Sequence, residues 1–221
     1  MRTITLVLLI ALAATLAGCH GLAGQVRGSG KRIVQKRDIG DFKAISTEGA
    51  YDLRIVCQKN ASLELEGDDN ILPVITAEVS NGTLRLKSLR NYSTSEPIMV
   101  RISVPNLEGL SVSGAGKVDV DGMNNERFEI DANGAPTIRV AGTTKVLDIS
   151  ANGASKIDTH KLSSARAVVE SNGVSKIDVD VKDQLDVTIA GPSTVTYEGD
   201  PVVKKTIHGP GKLEKKAAEG A

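Results

Sequence analysis

Aromatic residues are almost missing from this sequence. There is no tryptophan, and tyrosine and phenylalanine together supply only five of the 221 residues. We therefore expect a core of Val, Ile, Leu and Ala, and few ring platforms on which nucleobases could stack. Lysine plus arginine and aspartate plus glutamate number 27 each, so the formal net charge is zero. Without an overall basic field the usual electrostatic basis for binding nucleic acid is missing, and we expect no nucleic-acid partner.

Histidine and cysteine are also scarce, with three and two copies. His20, His160 and His208 stand in no motif that would pair them with a serine or cysteine nucleophile. The HExxH, CxxC and P-loop motifs are missing, and Gly28–Gly30 is not followed by the helix pattern of a dinucleotide site. The sequence therefore predicts no catalytic residue, no metal site and no cofactor.

The first 18 residues have the pattern of a targeting segment. Arg2 provides a positive start, and the apolar run Ile4–Leu16 is too short to span a membrane comfortably. The run ends in Leu16-Ala17-Gly18-Cys19, which matches the bacterial lipobox at all four positions. We predict a lipoprotein signal peptide at residues 1–18 and lipid attachment to Cys19. An ordinary secretory signal with an accidental cysteine is the alternative.

Acylation of Cys19 would attach the protein to a membrane of the cell envelope. Two or three acyl chains make a stable anchor, whereas one does not. His20, rather than aspartate, follows the cysteine, and by resemblance to Gram-negative lipoproteins this implies the outer membrane, on its periplasmic side or at the cell surface. Residues 19–27 are predicted to be a short tether. Cys57 would be the remaining thiol, so no internal disulfide is expected.

The second half of the chain, at about residues 108–213, is a repeat. Copies such as Leu110–Val120, Ile149–Thr159 and Val169–Val179 carry an apolar residue four before and four after a central glycine. The central glycines are Gly114, Gly134, Gly153, Gly173, Gly191 and Gly209. Their spacing of 18–20 residues is typical of stacked units that cannot bury an apolar face alone. Alternation of apolar and polar residues within each copy predicts half-buried strands.

Two folds fit this repeat. In an antiparallel meander, each Asn-Gly pair would be a two-residue hairpin turn. In a parallel β-helix, each copy is one coil and equivalent residues stack about 4.8 Å apart. The constant period, a recurring asparagine and opposite charges that would meet across strands all favour the coil. The asparagines are Asn133, Asn152 and Asn172, and the charges are Asp119, Arg139 and Asp158.

Several short motifs accompany the repeat. They are Gly28–Gly30, the pattern Arg37-x-x-x-x-Phe42-x-x-Ile45, Gly67–Pro73, Ser113–Gly116 with its copies, Tyr197-x-Gly199-x-Pro201 and Gly209-x-Gly211. In this order, over most of residues 28–213, they resemble the head GIN domain family, which is labelled an auto-transporter adhesin. Members are similar to right-handed single-stranded β-helices, so the resemblance implies an all-β fold, a right-handed parallel β-helix with coils of about 20 residues. Three middle copies have Asn-Gly-Ala or Asn-Gly-Val instead of the family's Gly-x-Gly, which changes turn detail but not the fold.

The first half of the chain is less regular but also rich in strand patterns. These lie at Ile45–Thr47, Tyr51–Cys57, Leu63–Glu66, Thr83–Lys87 and Ile98–Val104. Asn81-Gly82 predicts a hairpin turn, and Asp69 or Asn70 is predicted to cap one helical turn. We interpret this half as irregular coils with a hairpin that closes the stack. Cys57 is predicted to be buried rather than reactive, and residues 214–221 are predicted to be a flexible tail.

Three classes of function compete. One is a structural spacer or envelope-stress accessory, whose loss would affect the cell only under stress; the other two differ in the pattern of charge that they predict. A non-catalytic, lipid-anchored protein would present the strand surface to an envelope protein or a polysaccharide, and predicts evenly mixed charge; a homo-oligomer is a further option. A polysaccharide-active enzyme would need convergent acids, for which the candidates are Asp119, Asp158, Asp178 and Asp180. Lysines alternate with these acids at Lys117, Lys156 and Lys176. We therefore favour the binding protein, without enzyme activity and with an unidentified ligand.

Overall fold

The computed structural model describes residues 24–216. The predicted signal peptide, Cys19 and residues 217–221 lie outside the described residues. The strands of the first half are β1 (Val26–Arg27), β2 (Arg32–Arg37), β3 (Ala44–Glu48), β4 (Tyr51–Cys57), β5 (Ser62–Asp68), β6 (Ile75–Ser80), β7 (Thr83–Ser88), β8 (Tyr92–Ser93) and β9 (Ile98–Val104). The strands of the second half are β10 (Gly109–Gly114), β11 (Lys117–Gly134), β12 (Thr137–Gly153), β13 (Lys156–Gly173), β14 (Lys176–Ala190), β15 (Thr194–Glu198), β16 (Val202–His208) and β17 (Lys212–Lys215).

Successive repeats pair in parallel, one coil above the next. β10 pairs with β11, β11 with β12, β12 with β13 and β13 with β14. Each of β11 to β14 is long because it follows one side of a coil, bends at a register shift, and continues along a side of the next coil. The result is a β-solenoid of about five turns with coils of about 20 residues. The parallel β-helix is therefore confirmed, and the antiparallel meander is not formed.

The core is a stack of aliphatic side chains between the two sides of each coil. The first side precedes the central glycine and the second side follows it. Residues four before the glycine form one inward column: Ile45, Leu110, Ile130, Ile149, Val169 and Val187. Residues four after it form the other: Leu53, Val118, Ile138, Ile157, Ile177 and Val195. All twelve are buried, so the alternation in the sequence corresponds to one continuous apolar core.

The central glycines stack at the corner between the two sides. Gly134 and Gly153 are register partners, and Gly153 has φ +138°. A Cβ on Gly153 would lie well inside van der Waals contact with the carbonyl oxygen of Gly134, so the corner excludes any side chain. Gly49 stands in the same column beside Gly114. The column therefore begins one coil earlier than the sequence repeat indicates.

The asparagines beside these glycines form a ladder along the corner. Asn133, Asn152 and Asn172 are register partners in consecutive coils. Asn152 Nδ2 donates to Asn133 Oδ1 at 3.2 Å, and Asn172 Nδ2 donates to Asn152 Oδ1 at 3.1 Å. The predicted asparagine column is confirmed, and it links three coils from outside the core.

The first half of the chain builds the N-terminal end of the stack. β3 and β4 form a coil that pairs directly with β10 and β11. The chain then leaves the stack, places β7 on β3 and β9 on β4 in parallel, and rejoins the repeat at β10. Beyond these, β6, β5 and β2 pair as antiparallel strands and close the end. The predicted Asn-Gly turn joins β6 to β7, with φ of 51° at Asn81 and 71° at Gly82.

The helical turn forms, but its predicted cap is wrong. The 3-10 turn Leu72–Val74 begins after Ile71 and has no side-chain cap hydrogen bond. Asp69 Oδ1 instead accepts a bond from Ser29 Oγ at 2.7 Å, and Asn70 Oδ1 accepts one from Ser29 N at 2.9 Å. Both side chains therefore bond to a residue distant in sequence instead of capping the helical turn.

Paired strands extend into both predicted flexible segments. β1, at Val26–Arg27, pairs with β8 and lies inside the predicted tether of residues 19–27. β17 pairs with β15 and continues to Lys215, two residues into the predicted tail, because Leu213 follows the inward column of Val195. The folded domain is therefore slightly longer at both ends than the sequence predicts.

Candidate functional site

A column of charged residues runs along the outward surface of the second sides. We call this surface the charged face; its column consists of Arg54, Asp119, Arg139, Asp158 and Asp178. Each follows the central glycine by five residues, next to a buried position, so strand alternation turns it outward. The predicted placement of Arg139 between Asp119 and Asp158 is confirmed. Charges therefore alternate in sign along four consecutive coils.

Two close contacts hold the middle of this column. Arg139 Nη1 lies 3.5 Å from Asp119 Oδ1. Asp158 Oδ1 contacts Nδ1 of His160 and accepts a bond from the His160 backbone N at 3.4 Å. Partial burial opposes ionisation of Asp158, but the hydrogen bonds and charge of His160, together with Arg139, outweigh it and lower the pKa of Asp158. Asp158 is therefore held as a carboxylate.

The charged face continues onto the N-terminal strands through Arg101. Arg101 is the register partner of Arg54 on β4 and of Glu64 on β5. Its Nη1 donates to Glu64 Oε1 at 2.9 Å and its Nη2 to Glu66 Oε2 at 2.7 Å. The hydrogen bond from Arg101 is the main cause that lowers the pKa of Glu66. This end of the face therefore also carries both signs of charge, with Arg54 and Arg101 as neighbours between Asp119 and Glu64.

The four acids considered for the alternative, glycoside chemistry, do not form one ladder. Arg139 separates Asp119 from Asp158. Asp158 and Asp178 are register partners on neighbouring coils. Asp180 is on the same face as Asp178, because side chains repeat every second residue. It lies two residues further along the strand, however, and so belongs to a different column of register partners. Only the pair Asp158 and Asp178 remains adjacent.

A groove of about 460 Å³ runs along the charged face. Its volume lies within the range of ordinary ligand sites. The polar side chains that line it are Arg54, Asp119, Asp121, Arg139, Asp158, His160 and Lys161. The groove spans four consecutive coils, so a ligand in it would contact several repeats at once.

A larger cleft of about 1130 Å³ lies at the N-terminal end. We call it the corner cleft, since it lies between Gly49-Ala50 and residues 89–97, which connect β7 to β9. Its polar side chains include Glu48, Asp52, Lys87, Arg90, Tyr92 and Glu96. Sequence reasoning missed this cleft because residues 89–97 meet the glycine corner only in the fold. The single hint is their turn-rich composition, Asn91 to Pro97, which contains no ligand motif.

Two tyrosines lie at the corner cleft. Tyr92 lines it, and the ring of Tyr51 packs beneath Gly49, where a glycine Cβ would lie 3.2 Å from the ring. Among the described residues, the Tyr51 hydroxyl has no hydrogen-bond partner. Burial raises the pKa of both tyrosines, so each keeps its proton at neutral pH. They can donate a hydrogen bond but do not act as bases.

Cys57 is buried, as predicted from its position in β4. Burial, with a smaller contribution from Asp121, raises the pKa of the Cys57 thiol to about 11. The thiolate is the reactive form, so this cysteine is inert at neutral pH. Between residues 24 and 216, no group of three or more His, Cys, Asp or Glu side chains is placed to hold a metal ion. The same part of the chain contains no helix that is long and apolar enough to cross a membrane.

Solved structures with the same fold come from species of Bacteroides and Parabacteroides. A putative adhesin from Bacteroides fragilis is 19% identical, with a TM-score of 0.70, and the match covers 86% of this chain and 100% of that chain. A putative adhesin from Parabacteroides merdae is 16% identical, with a TM-score of 0.55 and coverage of 88% and 100%. A putative lipid binding protein from Parabacteroides distasonis is 18% identical, with a TM-score of 0.53 and coverage of 88% and 100%. At these identities the likeness shows the fold alone.

Family membership rests on the sequence match. A comparison with curated proteins gives no match. The family described as "Putative auto-transporter adhesin, head GIN domain" matches residues 41–201, which is well over half of the chain. This chain therefore belongs to the head GIN domain family.

Proposed function

We propose that the protein is a lipid-anchored, non-catalytic protein of the bacterial envelope that binds an envelope polysaccharide or protein along its charged face. The family description as putative adhesins supports a role in adhesion outside the cytoplasm. The lipobox at residues 16–19 supports attachment through Cys19 to the outer membrane.

The observation that carries the binding role is the interleaving of charges. Arg54, Asp119, Arg139 and Asp158 alternate on neighbouring coils beside a groove. A flat surface of mixed charge presents hydrogen-bond donors and acceptors in a fixed array, about 4.8 Å apart along the stack. Such an array suits an extended polar partner, which can contact several coils at once.

The pair Asp158 and Asp178 favours the alternative, a polysaccharide-active enzyme. Neighbouring strands lie about 4.8 Å apart, close to the carboxyl separation of roughly 5 Å in retaining glycosidases. However, one carboxyl of such a pair must hold its proton at the working pH. His160 and Arg139 lower the pKa of Asp158, so it could serve only as the ionised member of such a pair. We prefer binding without catalysis because Arg139 separates Asp158 from Asp119, and the acids of this face do not converge.

The proposal is tested with the full acylated protein in phosphatidylcholine vesicles. Isolated peptidoglycan and lipopolysaccharide are offered as polysaccharides, and a detergent extract of the envelope as protein. The double variant Arg54→Ala, Arg139→Ala removes two exposed arginines from the charged face. The matched control, Arg85→Ala, Arg166→Ala, removes two exposed arginines from the first sides.

We expect the charged-face variant to weaken binding to one of these partners by about tenfold or more, and the control by less than about twofold. Equal binding by both variants would contradict the role of the charged face. Release of reducing ends from either polysaccharide, lost in Asp158→Asn and Asp178→Asn, would establish the enzyme instead.

A further inference from the structure

The chain enters the solenoid at one fixed place, beside the corner cleft. β1 pairs with β8, with Val26 N donating to Asn91 O at 2.9 Å and Gly28 N to Ser93 O at 2.7 Å. Arg90 Nη2 also donates to the carbonyl of Gly24 at 3.0 Å. These bonds tie the first described residues to the connection of residues 89–97.

A second set of bonds holds the same segment to the end of β5. Ser29 bonds to both Asp69 and Asn70, and Asn70 Nδ2 donates to the carbonyl of Arg27 at 2.8 Å. Residues 24–29 are therefore fixed to the closed N-terminal end and do not run along the side of the solenoid. This is what the motifs Gly28–Gly30 and Gly67–Pro73 do in the fold.

The distance from this place to the predicted anchor is short. Five Cα steps separate Cys19 from Gly24, and a fully extended chain covers at most about 3.6 Å per residue, so the reach is at most about 18 Å. An acylated Cys19 would therefore bring the N-terminal end of the solenoid to the headgroup layer, whatever path those residues take.

The surface around Gly24 suits a layer of phospholipid headgroups. Leu89 is 64% exposed, next to Arg90. Arg27 and Arg90 are both exposed and form no ion pair with a carboxylate among residues 24–216. Lys87 is a weaker contributor because Glu48 is its register partner. Basic side chains attract anionic headgroups, and an exposed leucine inserts at the boundary with the acyl chains.

The other end of the solenoid is far from this surface. Along the first sides, β7, β3, β10, β11, β12, β13, β14 and β16 follow one another as neighbours. Seven strand spacings of about 4.8 Å make roughly 34 Å between the level of Leu89 and the level of Val202. Val174, at a glycine corner, lies five spacings from Leu89, roughly 24 Å along the stack.

From these observations we propose that the closed N-terminal end rests on the phospholipid surface through Leu89, Arg90 and Arg27, and that the solenoid stands upright on the membrane. The open coil of β16 and β17 then points away from the bilayer. The charged face runs from the membrane outward, so that its groove is presented to a partner from the side. This inference rests on the proposed acylation of Cys19.

The test measures three distances in the full acylated protein. Single cysteines are introduced as Leu89→Cys, Val174→Cys and Val202→Cys, at three apolar residues that are all more than half exposed. Each is labelled with a fluorescent donor, in vesicles of phosphatidylglycerol and phosphatidylcholine that carry a headgroup acceptor. Cys57 is buried with a raised pKa, so the unsubstituted protein reports background labelling.

We expect energy transfer to fall from Leu89→Cys to Val174→Cys to Val202→Cys, with the last donor about 30 Å further from the acceptor plane than the first. Equal transfer at all three positions in acylated protein would mean that the solenoid lies flat, and would overturn the orientation alone. Protein without acyl mass would overturn the anchor as well.

A charge-reversal pair tests the headgroup contact. Arg27→Glu, Arg90→Glu should lower energy transfer at Leu89→Cys on vesicles with phosphatidylglycerol and leave it unchanged on phosphatidylcholine alone. The matched pair Arg85→Glu, Arg166→Glu should have no effect on either. No difference between the two pairs on anionic vesicles would refute the contact.

Discussion

The two ends of this solenoid are finished in different ways. At the N-terminal end, antiparallel strands β6, β5 and β2 cover the stack, and Leu65 on β5, Leu84 on β7 and Ile98 on β9 are fully buried. At the C-terminal end, the last coil of β16 and β17 is left open among the described residues. Its inward residues are only partly buried, and Val202 is 76% exposed.

A lysine in the core column marks the open end. Lys205 is the register partner of Val187, so it occupies the inward position that holds Ile, Leu or Val in the preceding coils. An inward-pointing charge is a known way to stop an edge strand from pairing with another chain. The N-terminal edge is therefore covered by extra strands, whereas the C-terminal edge is uncovered and protected by a charge. We expect this difference to affect stability and self-association.

The largest expected effect contrasts one leucine from each end. Leu65→Ala should cost about 3–4 kcal/mol of unfolding free energy, since Leu65 is completely buried under the N-terminal strands. Leu213→Ala, at the partly buried last coil, should cost about 1 kcal/mol. Urea unfolding followed by circular dichroism measures both. Similar losses would mean that the last coil is as well covered as the first.

The glycine column allows the same contrast within one structural role. Gly153→Ala should cost about 3 kcal/mol, because φ is +138° and the new methyl group would strike the backbone of Gly134. Gly209→Ala at the open end has φ +102°, but its nearest backbone contact would be 3.7 Å, so about 1 kcal/mol is expected. Thermal unfolding gives the comparison. A larger loss at Gly209 would show that the last coil is the more tightly held.

Removal of the charge at the open end should change association rather than stability. We expect Lys205→Val to give concentration-dependent dimers or longer assemblies in analytical ultracentrifugation, because the apolar column would then reach the free edge. Lys204→Val, which changes an outward neighbour on the same strand, is the control. If Lys205→Val stays monomeric at high concentration, Lys205 does not protect the free edge from pairing.

In the asparagine ladder we expect a smaller difference in stability, between a residue in its middle and a residue at its end. Asn152 bonds to Asn133 on one side and to Asn172 on the other, whereas Asn172 has one ladder bond. Asn152→Ala should therefore cost about 1 kcal/mol and Asn172→Ala about half of that, in an exposed position. The urea unfolding midpoints of the two variants measure these losses. Equal midpoints would mean that the second ladder bond of Asn152 adds no stability.

The smallest expected effect is the pH dependence of ion pairs at the two ends. A hydrogen bond from Arg101 lowers the pKa of Glu66 at the N-terminal end, and one from Lys215 lowers the pKa of Asp200 at the C-terminal end. A depressed carboxyl pKa stabilises the fold above the unfolded pKa, roughly 4, and this contribution is lost as pH falls through the lower folded value. Glu66→Gln should therefore be less stable than wild type at pH 7 and equal to it near pH 2. Asp200→Asn, at a fully exposed pair, should match wild type at both values.

The repeat could be predicted from sequence because its period is regular and its register needs no long-range information. Gly114 and its successors identify the corner, and Asn152 and Arg139 identify which residues meet across coils. The first half is predicted as irregular coils, but the place of Gly49 in the glycine column is not, because residues 58–108 interrupt the period. Yet Ile45, Gly49 and Leu53 carry the same spacing as later copies, so the signal was present.

The rest depends on contacts between distant parts of the chain. Asp69 and Asn70 read as local caps, but Ser29 is their partner. The corner cleft needs residues 89–97 to fold over Gly49, which no local pattern reveals. The four acids do not form one ladder, because Asp180 lies on the same face as Asp178 but in a different column. Lipid attachment at Cys19 stays a prediction, since it lies outside the described residues.

Attachment through Cys19 is the claim on which the envelope location and the upright orientation depend. Intact mass and membrane fractionation of the full-length protein, beside Cys19→Ala, test it most directly. We predict that the wild-type chain begins at Cys19, carries the mass of two or three acyl chains and sediments with the outer membrane, while the variant does neither. Soluble, unmodified protein in both cases would contradict the anchor, and partners should then be sought away from the membrane.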